Sequence, residues 1–78
     1  MVSSIVLPIK KVNSLVESRI IVEIKDDGRR FQGRLIAVDE YLNLHMEDAT
    51  EIAEESRERN LGCVVIRGNN ILSIAPVL

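Results

Sequence analysis

Apolar residues recur two positions apart along most of this chain, the period of strands that bury one face of a sheet. Three segments carry the pattern: Ile20, Val22 and Ile24; Phe31, Gly33, Leu35 and Ala37; and Leu42, Leu44 and Met46. Two later segments, LGCVVIRG and NILSIAP, resume it around a turn at Gly68, Asn69 and Asn70. The pair Asp27 and Gly28 is a hairpin signal between the first two segments. The pattern therefore predicts five short strands.

A different spacing precedes the strands. Ile5, Ile9, Val12 and Val16 are three or four residues apart, and Pro8 suits a first helical turn, so we expect a short amphipathic helix over about 8–16. Gly33, in mid-strand, predicts a sharp bend or a close approach of backbones. The fold class is mainly β: a short N-terminal helix followed by a strongly bent, five-stranded antiparallel sheet that forms a small open barrel.

The chain of 78 residues reads as one domain, 1–78, and a domain this short buries little surface alone, so oligomerisation would add stability. One cysteine, Cys63, and one histidine, His45, predict neither a disulfide nor a metal cluster. Cys63 lies in an apolar run, where a buried thiol is the common case. No nucleophile stands beside a base, and no apolar run has the roughly 20 residues of a membrane span. We expect a cytoplasmic protein that is not an enzyme and has no cofactor.

The net charge of −2 is unevenly placed, because residues 47–60 contain six acids and only two arginines. This segment is expected to form either a long exposed loop or two strand ends with a helical tip. Several cations lie elsewhere and would form either a second cationic face or ordinary solvated charge: Lys10, Lys11, Arg29, Arg30 and Arg34.

Two turns combine side chains that suit single-stranded RNA. The turn DEYLN, residues 39–43, contains Tyr41 and Asn43, and the turn RGNN contains Arg67 and two asparagines. An aromatic ring and a guanidinium can sandwich a base, while an amide can read a base edge. Simpler interpretations stay open: Tyr41 as a surface or interface aromatic, Arg67 in a strand-end salt bridge, and the asparagines as plain turn residues.

The two turns lie within stretches that resemble the two motifs of the Sm and Sm-like protein family. VEIKDDGRRFQGRLIAVDEYLNLHMEDA, within a first motif at about 17–49, is similar to the first. LGCVVIRGNNILSIAP, residues 61–76, is similar to the second, and the acidic residues 47–60 form the variable spacer. The short N-terminal helix and the lack of long tails look most like an archaeal Sm-like protein.

This resemblance implies a ring and a pore. In the family, strand four of one subunit pairs with strand five of the next, usually in rings of seven in archaea. The second motif lacks the Lys-His signature of the bacterial hexameric branch, which favours seven subunits here. Such pairing would satisfy the unpaired backbone groups of the edge strands, which otherwise favour aggregation.

The resemblance also implies how RNA is bound. Tyr41 and Arg67 would stack on the two faces of a uridine, and Asn43, oriented by Asp39, would read the base edge. Asn69 and the backbone of Gly68 would also contact the base. The implied RNA site consists of Asp39, Tyr41, Asn43, Arg67, Gly68 and Asn69. We therefore expect a homo-oligomeric ring that binds U-rich single-stranded RNA and acts with RNA-processing proteins; the alternative is a protein-interaction hub with weak RNA binding.

Overall fold

The computed structural model describes residues 9–25, 28–52 and 58–77, and these form one helix and five strands. The elements in chain order are α1 (Ile9–Asn13), β1 (Arg19–Ile24), β2 (Arg30–Val38), β3 (Leu44–Ile52), β4 (Glu58–Ile66), a 3₁₀ turn (Gly68–Asn70) and β5 (Ile71–Pro76). The predicted fold class, mainly β with a short N-terminal helix, is confirmed.

The five strands form one antiparallel sheet in the order β4-β3-β2-β1-β5. The alternation in the sequence places one residue set on the inner face, and nine buried apolar residues form the core: Val12, Ile20, Val22, Leu35, Leu44, Met46, Ala49, Ile66 and Ile74. No polar or charged side chain of the described residues is buried. Each strand therefore buries one face and leaves the other to solvent.

Gly33 lies where β2 and β3 come unusually close. A Cβ atom at this position would lie 2.9 Å from the Glu47 carbonyl oxygen and 3.0 Å from the Ala49 Cα. The register of the two strands shifts at the same place, between Gln32 and Arg34. The expected close approach of backbones at Gly33 is confirmed, and the bulge bends the long strand β2.

The helix is shorter than the predicted 8–16, because it ends at Asn13. Four-residue turns follow it, in which Leu15 N–H donates to the Val12 carbonyl and Val16 N–H to the Asn13 carbonyl. Glu17, at φ 75°, then redirects the chain into β1. Leu15 and Val16 still pack against the core, so the apolar spacing identified the buried face but not the end of the helix. Pro8 lies outside the described residues.

The third strand begins at Leu44, two residues later than the alternation suggested. Leu42 has φ 63° and belongs to a closed loop before the strand. At its other end, β3 continues through the acidic segment to Ile52, and β4 begins at Glu58. Residues 47–52 therefore continue β3 and residues 58–60 begin β4, as the strand-end interpretation predicted. The helical tip that it also predicted falls outside the described residues.

The strands β4 and β5 are consecutive in sequence but lie at opposite edges of the sheet. The turn between them is not a hairpin, since β5 pairs with β1. Both edge strands expose apolar side chains: Val65 on β4 is 69% exposed and Leu72 on β5 is 42% exposed. Cys63, expected to be buried, is exposed because it lies two residues before Val65, on the outward face of β4.

Candidate nucleic-acid interface

The loop of residues 39–43 between β2 and β3 is closed around the Asp39 carboxylate. Asp39 Oδ1 accepts hydrogen bonds from Tyr41 N–H at 2.9 Å and from Asn43 N–H at 3.0 Å, and Oδ2 accepts one from Asn43 Nδ2 at 2.9 Å. Two backbone bonds close the loop further, from Asp39 N–H to the Asn43 carbonyl and from Leu42 N–H to the Asp39 carbonyl. Asp39 therefore fixes both the loop and the Asn43 amide.

These bonds favour the charged form of Asp39. The backbone and side-chain hydrogen bonds from Asn43, with a further one from Tyr41 N–H, lower the pKa of the Asp39 carboxyl below its ordinary value of 3.8. Asp39 is thus a carboxylate at neutral pH and accepts hydrogen bonds only.

The turn Gly68–Asn70 docks on this loop through the same amide. Gly68 N–H donates to Asn43 Oδ1 at 2.8 Å, so the oxygen and nitrogen of the Asn43 side chain both have fixed partners. A Cβ on Gly68 would overlap the Tyr41 carbonyl oxygen and come within 2.9 Å of the Leu42 carbonyl carbon. Gly68 is therefore required for close packing of the two turns, and its φ is not in the left-handed region.

The two turns enclose an open pocket of about 480 Å³, lined by Tyr41, Asn43, Arg67, Gly68 and Asn69. Five of the six residues in the predicted site thus share one surface, and the sixth, Asp39, holds Asn43 from behind. Tyr41 is 74% exposed, and Arg67 is also exposed. Among the described residues, neither the Tyr41 hydroxyl nor the Arg67 guanidinium has a hydrogen bond or ion pair, so the strand-end salt bridge considered for Arg67 is not formed with them.

Leu42 is a part of this site that the sequence did not reveal. Its φ of 63° lies in the left-handed region, which leucine rarely adopts, and no residue type at that position signals it. The conformation lets the backbone turn sharply between Tyr41 and Asn43, while the Leu42 side chain packs against the core. A second unpredicted contact comes from Lys25 N–H, which donates to the Asn70 carbonyl at 2.8 Å and ties the end of β1 to the turn.

Two arginines of the considered cationic face form ion pairs with acids on β3. Arg29 Nε lies 2.7 Å from Glu51 Oε2, and Arg34 lies 3.0 Å from Glu47 Oε1. Both acids belong to the acidic residues 47–60. These two pairs reduce the free charge of the considered cationic face and of the acidic segment.

Comparison with known proteins identifies the family of the chain. The model of the LSM domain matches residues 10–76. The chain belongs to the LSM-domain family. An snRNP Sm-like protein of Archaeoglobus fulgidus is 38% identical over 69 residues, which cover 88% of each chain.

Solved LSM-domain structures share the fold. The Pyrococcus abyssii Sm protein in complex with a uridine heptamer superposes with a TM-score of 0.81 at 34% identity, covering 92% of this chain and all of that one. The SmAP1 heptamer of P. aerophilum gives a TM-score of 0.82 at 30% identity, covering 88% of this chain and 90% of that chain. The suspected resemblance to archaeal Sm-like proteins is therefore confirmed.

Within residues 9–25, 28–52 and 58–77 there is no group of three or more His, Cys, Asp or Glu side chains placed to hold a metal ion. None of the helices in the described part of the chain is long and apolar enough to cross a membrane.

Proposed function

We propose that this LSM-domain protein forms a homo-oligomeric ring, with seven subunits, that binds U-rich single-stranded RNA in the pocket of Tyr41, Asn43, Arg67, Gly68 and Asn69. It acts in the cytoplasm as a non-catalytic scaffold for RNA processing or turnover, together with RNA-processing proteins. The similarity to a heptamer and to a protein in complex with a uridine heptamer supports this proposal.

The observation that carries the proposal is the fixed orientation of the Asn43 amide. Its oxygen accepts from Gly68 N–H and its nitrogen donates to Asp39, which prevents the amide from flipping. One lone pair and one N–H remain for a ligand. Uracil offers an acceptor, O4, beside the N3–H donor, whereas cytosine offers a donor beside an acceptor. For a base stacked in one orientation, a fixed amide therefore favours uracil.

Stacking supplies the affinity in this proposal. Tyr41 and Arg67 present a flat ring and a planar guanidinium at the pocket, and both lack competing polar partners among the described residues. Base stacking contributes about 1–3 kcal/mol per base. A ring repeats this weak site around a pore, so that one RNA strand occupies several linked sites and gains avidity.

Ring closure is supported by the two unpaired sheet edges. The edge strand β5 carries the exposed side chain of Leu72, and the exposed Val77 follows it. Pairing β4 of one subunit with β5 of the next would satisfy both edges and cover apolar surface. The short chain gains the burial that it lacks as a monomer.

Binding of fluorescent oligo(U) and oligo(C) of equal length, at near-physiological salt, tests this function. We expect preferential binding of oligo(U), and Arg67→Ala should weaken it at least about fivefold, the lower end of one lost stacking partner. Light scattering on the same samples should show an unchanged ring mass for the variant.

Arg30→Ala is the matched control, because it removes an exposed arginine from β2 outside the pocket. Its oligo(U) affinity should stay close to that of the wild type. Absence of oligo(U) binding, or equal losses for both arginine variants, would contradict the proposed pocket and favour the role of a protein-interaction hub.

A further inference from the structure

The outer face of the sheet adjoins the pocket along β3 and β4. Leu44 and Ile66 face each other across these strands and point into the core, so the residues on either side of them point outwards. His45 faces Val65 in the next pair of the ladder. Asn43 and Arg67 lie two residues from His45 and Val65 in sequence, each just outside its strand and in the lining of the pocket.

This adjoining surface is open and has an unusual composition. His45 and Val65 are exposed, and Ala37, which faces His45 from β2, is exposed too. We call these three residues, Ala37, His45 and Val65, the His45 patch. Val65, at 69% exposure, is a large aliphatic side chain that nothing in the described chain covers. Apolar surface beside an imidazole can contact a ribose and hydrogen-bond a phosphate.

The charged groups near His45 are paired elsewhere or carry positive charge. The nearest in the strand ladder are Glu47 on β3 and Arg34 on β2, and Asp39 and Arg67 lie in the adjoining turns. The Glu47 carboxylate is paired with Arg34, and the Asp39 carboxylate accepts three hydrogen bonds within its own loop. The His45 imidazole has no hydrogen bond or ion pair with the described residues. A phosphate oxygen is therefore a suitable partner for an imidazole N–H on this surface.

We infer that the RNA-binding surface extends from the pocket onto the His45 patch, where His45 binds the phosphate backbone and Val65 and Ala37 contact ribose. This inference rests on the proposed function, because it needs a base in the pocket to bring the backbone there. The pocket selects the base, and the His45 patch adds affinity that is independent of the base. His45 is the only histidine in the chain, so any effect of an imidazole group on RNA binding arises at this position.

The test compares wild type and His45→Ala in oligo(U) and oligo(C) binding at near-physiological salt. His45→Ala should lose about threefold to tenfold in affinity for both oligonucleotides, as for one lost hydrogen bond to a phosphate oxygen. The preference for oligo(U) should be unchanged, because a phosphate contact does not depend on the base.

Two further variants separate this role from others. Lys11→Gln removes an exposed cation from α1, beside Pro76 at the end of β5 remote from the Gly68–Asn70 turn, and should bind both oligonucleotides as the wild type does. Val65→Thr keeps the shape of the side chain and should weaken both oligonucleotides modestly without changing the ring mass. A fall in ring mass would instead make Val65 a subunit contact and overturn its part in the inference.

The failures of the two proposals can be distinguished. If the wild type binds oligo(U) and His45→Ala binds both oligonucleotides as tightly as the wild type, the His45 patch is not part of the RNA surface although the pocket is. If the wild type fails to bind oligo(U), both proposals are wrong.

Discussion

Asn43 is held at the centre of the site by two residues that are distant from each other in sequence. Asp39 binds its amide nitrogen from the same loop, and Gly68 binds its oxygen from the turn after β4. The specificity proposed for the pocket therefore depends on residues that need not touch the base. Asp39 is a positioning residue in this arrangement, and Gly68 is needed because the Tyr41 and Leu42 carbonyls leave no room for a side chain.

The lowered pKa of Asp39 predicts a pH-dependent stability. A carboxyl with a depressed pKa in the folded state stabilises the fold above its unfolded pKa, and this contribution is lost as the pH falls through the folded value. Asp39→Asn replaces one acceptor oxygen by a donor and should lower stability at neutral pH. The difference from the wild type should narrow as the pH falls below about 4, the range of aspartate titration.

Urea denaturation of both proteins at a series of pH values measures this effect. Glu40→Gln is the control, because Glu40 is an exposed neighbouring acid with no hydrogen bond or ion pair to the described residues. It should match the wild type throughout. A constant difference between Asp39→Asn and the wild type at every pH would show that the Asp39 carboxylate does not act through its charge.

At the level of elements, the bulges in β2 and β3 determine where the two turns meet. The register shifts at Gly33 and again between Leu35 and Ala37, and each shift bends β2 towards the curvature of a barrel. This curvature brings the loop at the end of β2 next to the turn that precedes β5. The pocket is thus a consequence of strand bending as much as of the turn sequences.

Gly33→Ala tests the importance of this bend. The added methyl would lie 2.9 Å from the Glu47 carbonyl oxygen, a contact that the backbone must relieve by moving. We expect a loss of about 1–3 kcal/mol in the free energy of unfolding, as for overpacked cores. Thermal and urea denaturation at equal protein concentration measure it.

Gly28→Asn is the matched control for Gly33→Ala. Gly28 has φ 69°, but a Cβ there meets no atom within 4 Å, and asparagine tolerates this conformation. Its loss of stability should be smaller than that of Gly33→Ala, because asparagine is among the residues that adopt the left-handed conformation most readily. A Gly33→Ala protein as stable as this control would mean that the β2 and β3 backbones separate without cost.

At the scale of the whole molecule, the sheet order leaves β4 and β5 as edges that the described residues do not pair. Leu72 lies on the β5 edge, where the pairing with β1 is irregular, and its side chain is 42% exposed. Leu72→Asp would place a charge in the proposed subunit interface, so we expect smaller species than the ring at equal concentration. Light scattering measures the mass, and far-UV circular dichroism should still report strands.

The conservative change Leu72→Val keeps an apolar, strand-favouring side chain and should retain the ring. If Leu72→Asp kept the full ring mass, the β5 edge would not be the subunit contact. Loss of strand signal together with mass would instead indicate that the subunit does not fold outside the ring.

The sequence by itself determined the number of strands, the buried faces of the first three strands and the residues of the pocket. Period-two alternation is a local property, and residue types in the two turns are read directly from the sequence. The motifs then identified the family through residue types at defined spacing. What local pattern could not provide was the end of the helix at Asn13, since that end depends on how Glu17 turns the chain into β1.

Only the tertiary structure decided how the strands are ordered and which groups meet. The turn at Gly68 joins β4 and β5 in sequence, yet these strands lie at opposite edges because β5 pairs with β1. The contact between Gly68 and Asn43 spans 25 residues in sequence, so no local rule predicts it. The face of Cys63 was also decided there: the continuous apolar run around it does not alternate, so only the packing of Ile66 into the core shows that Cys63 points outwards.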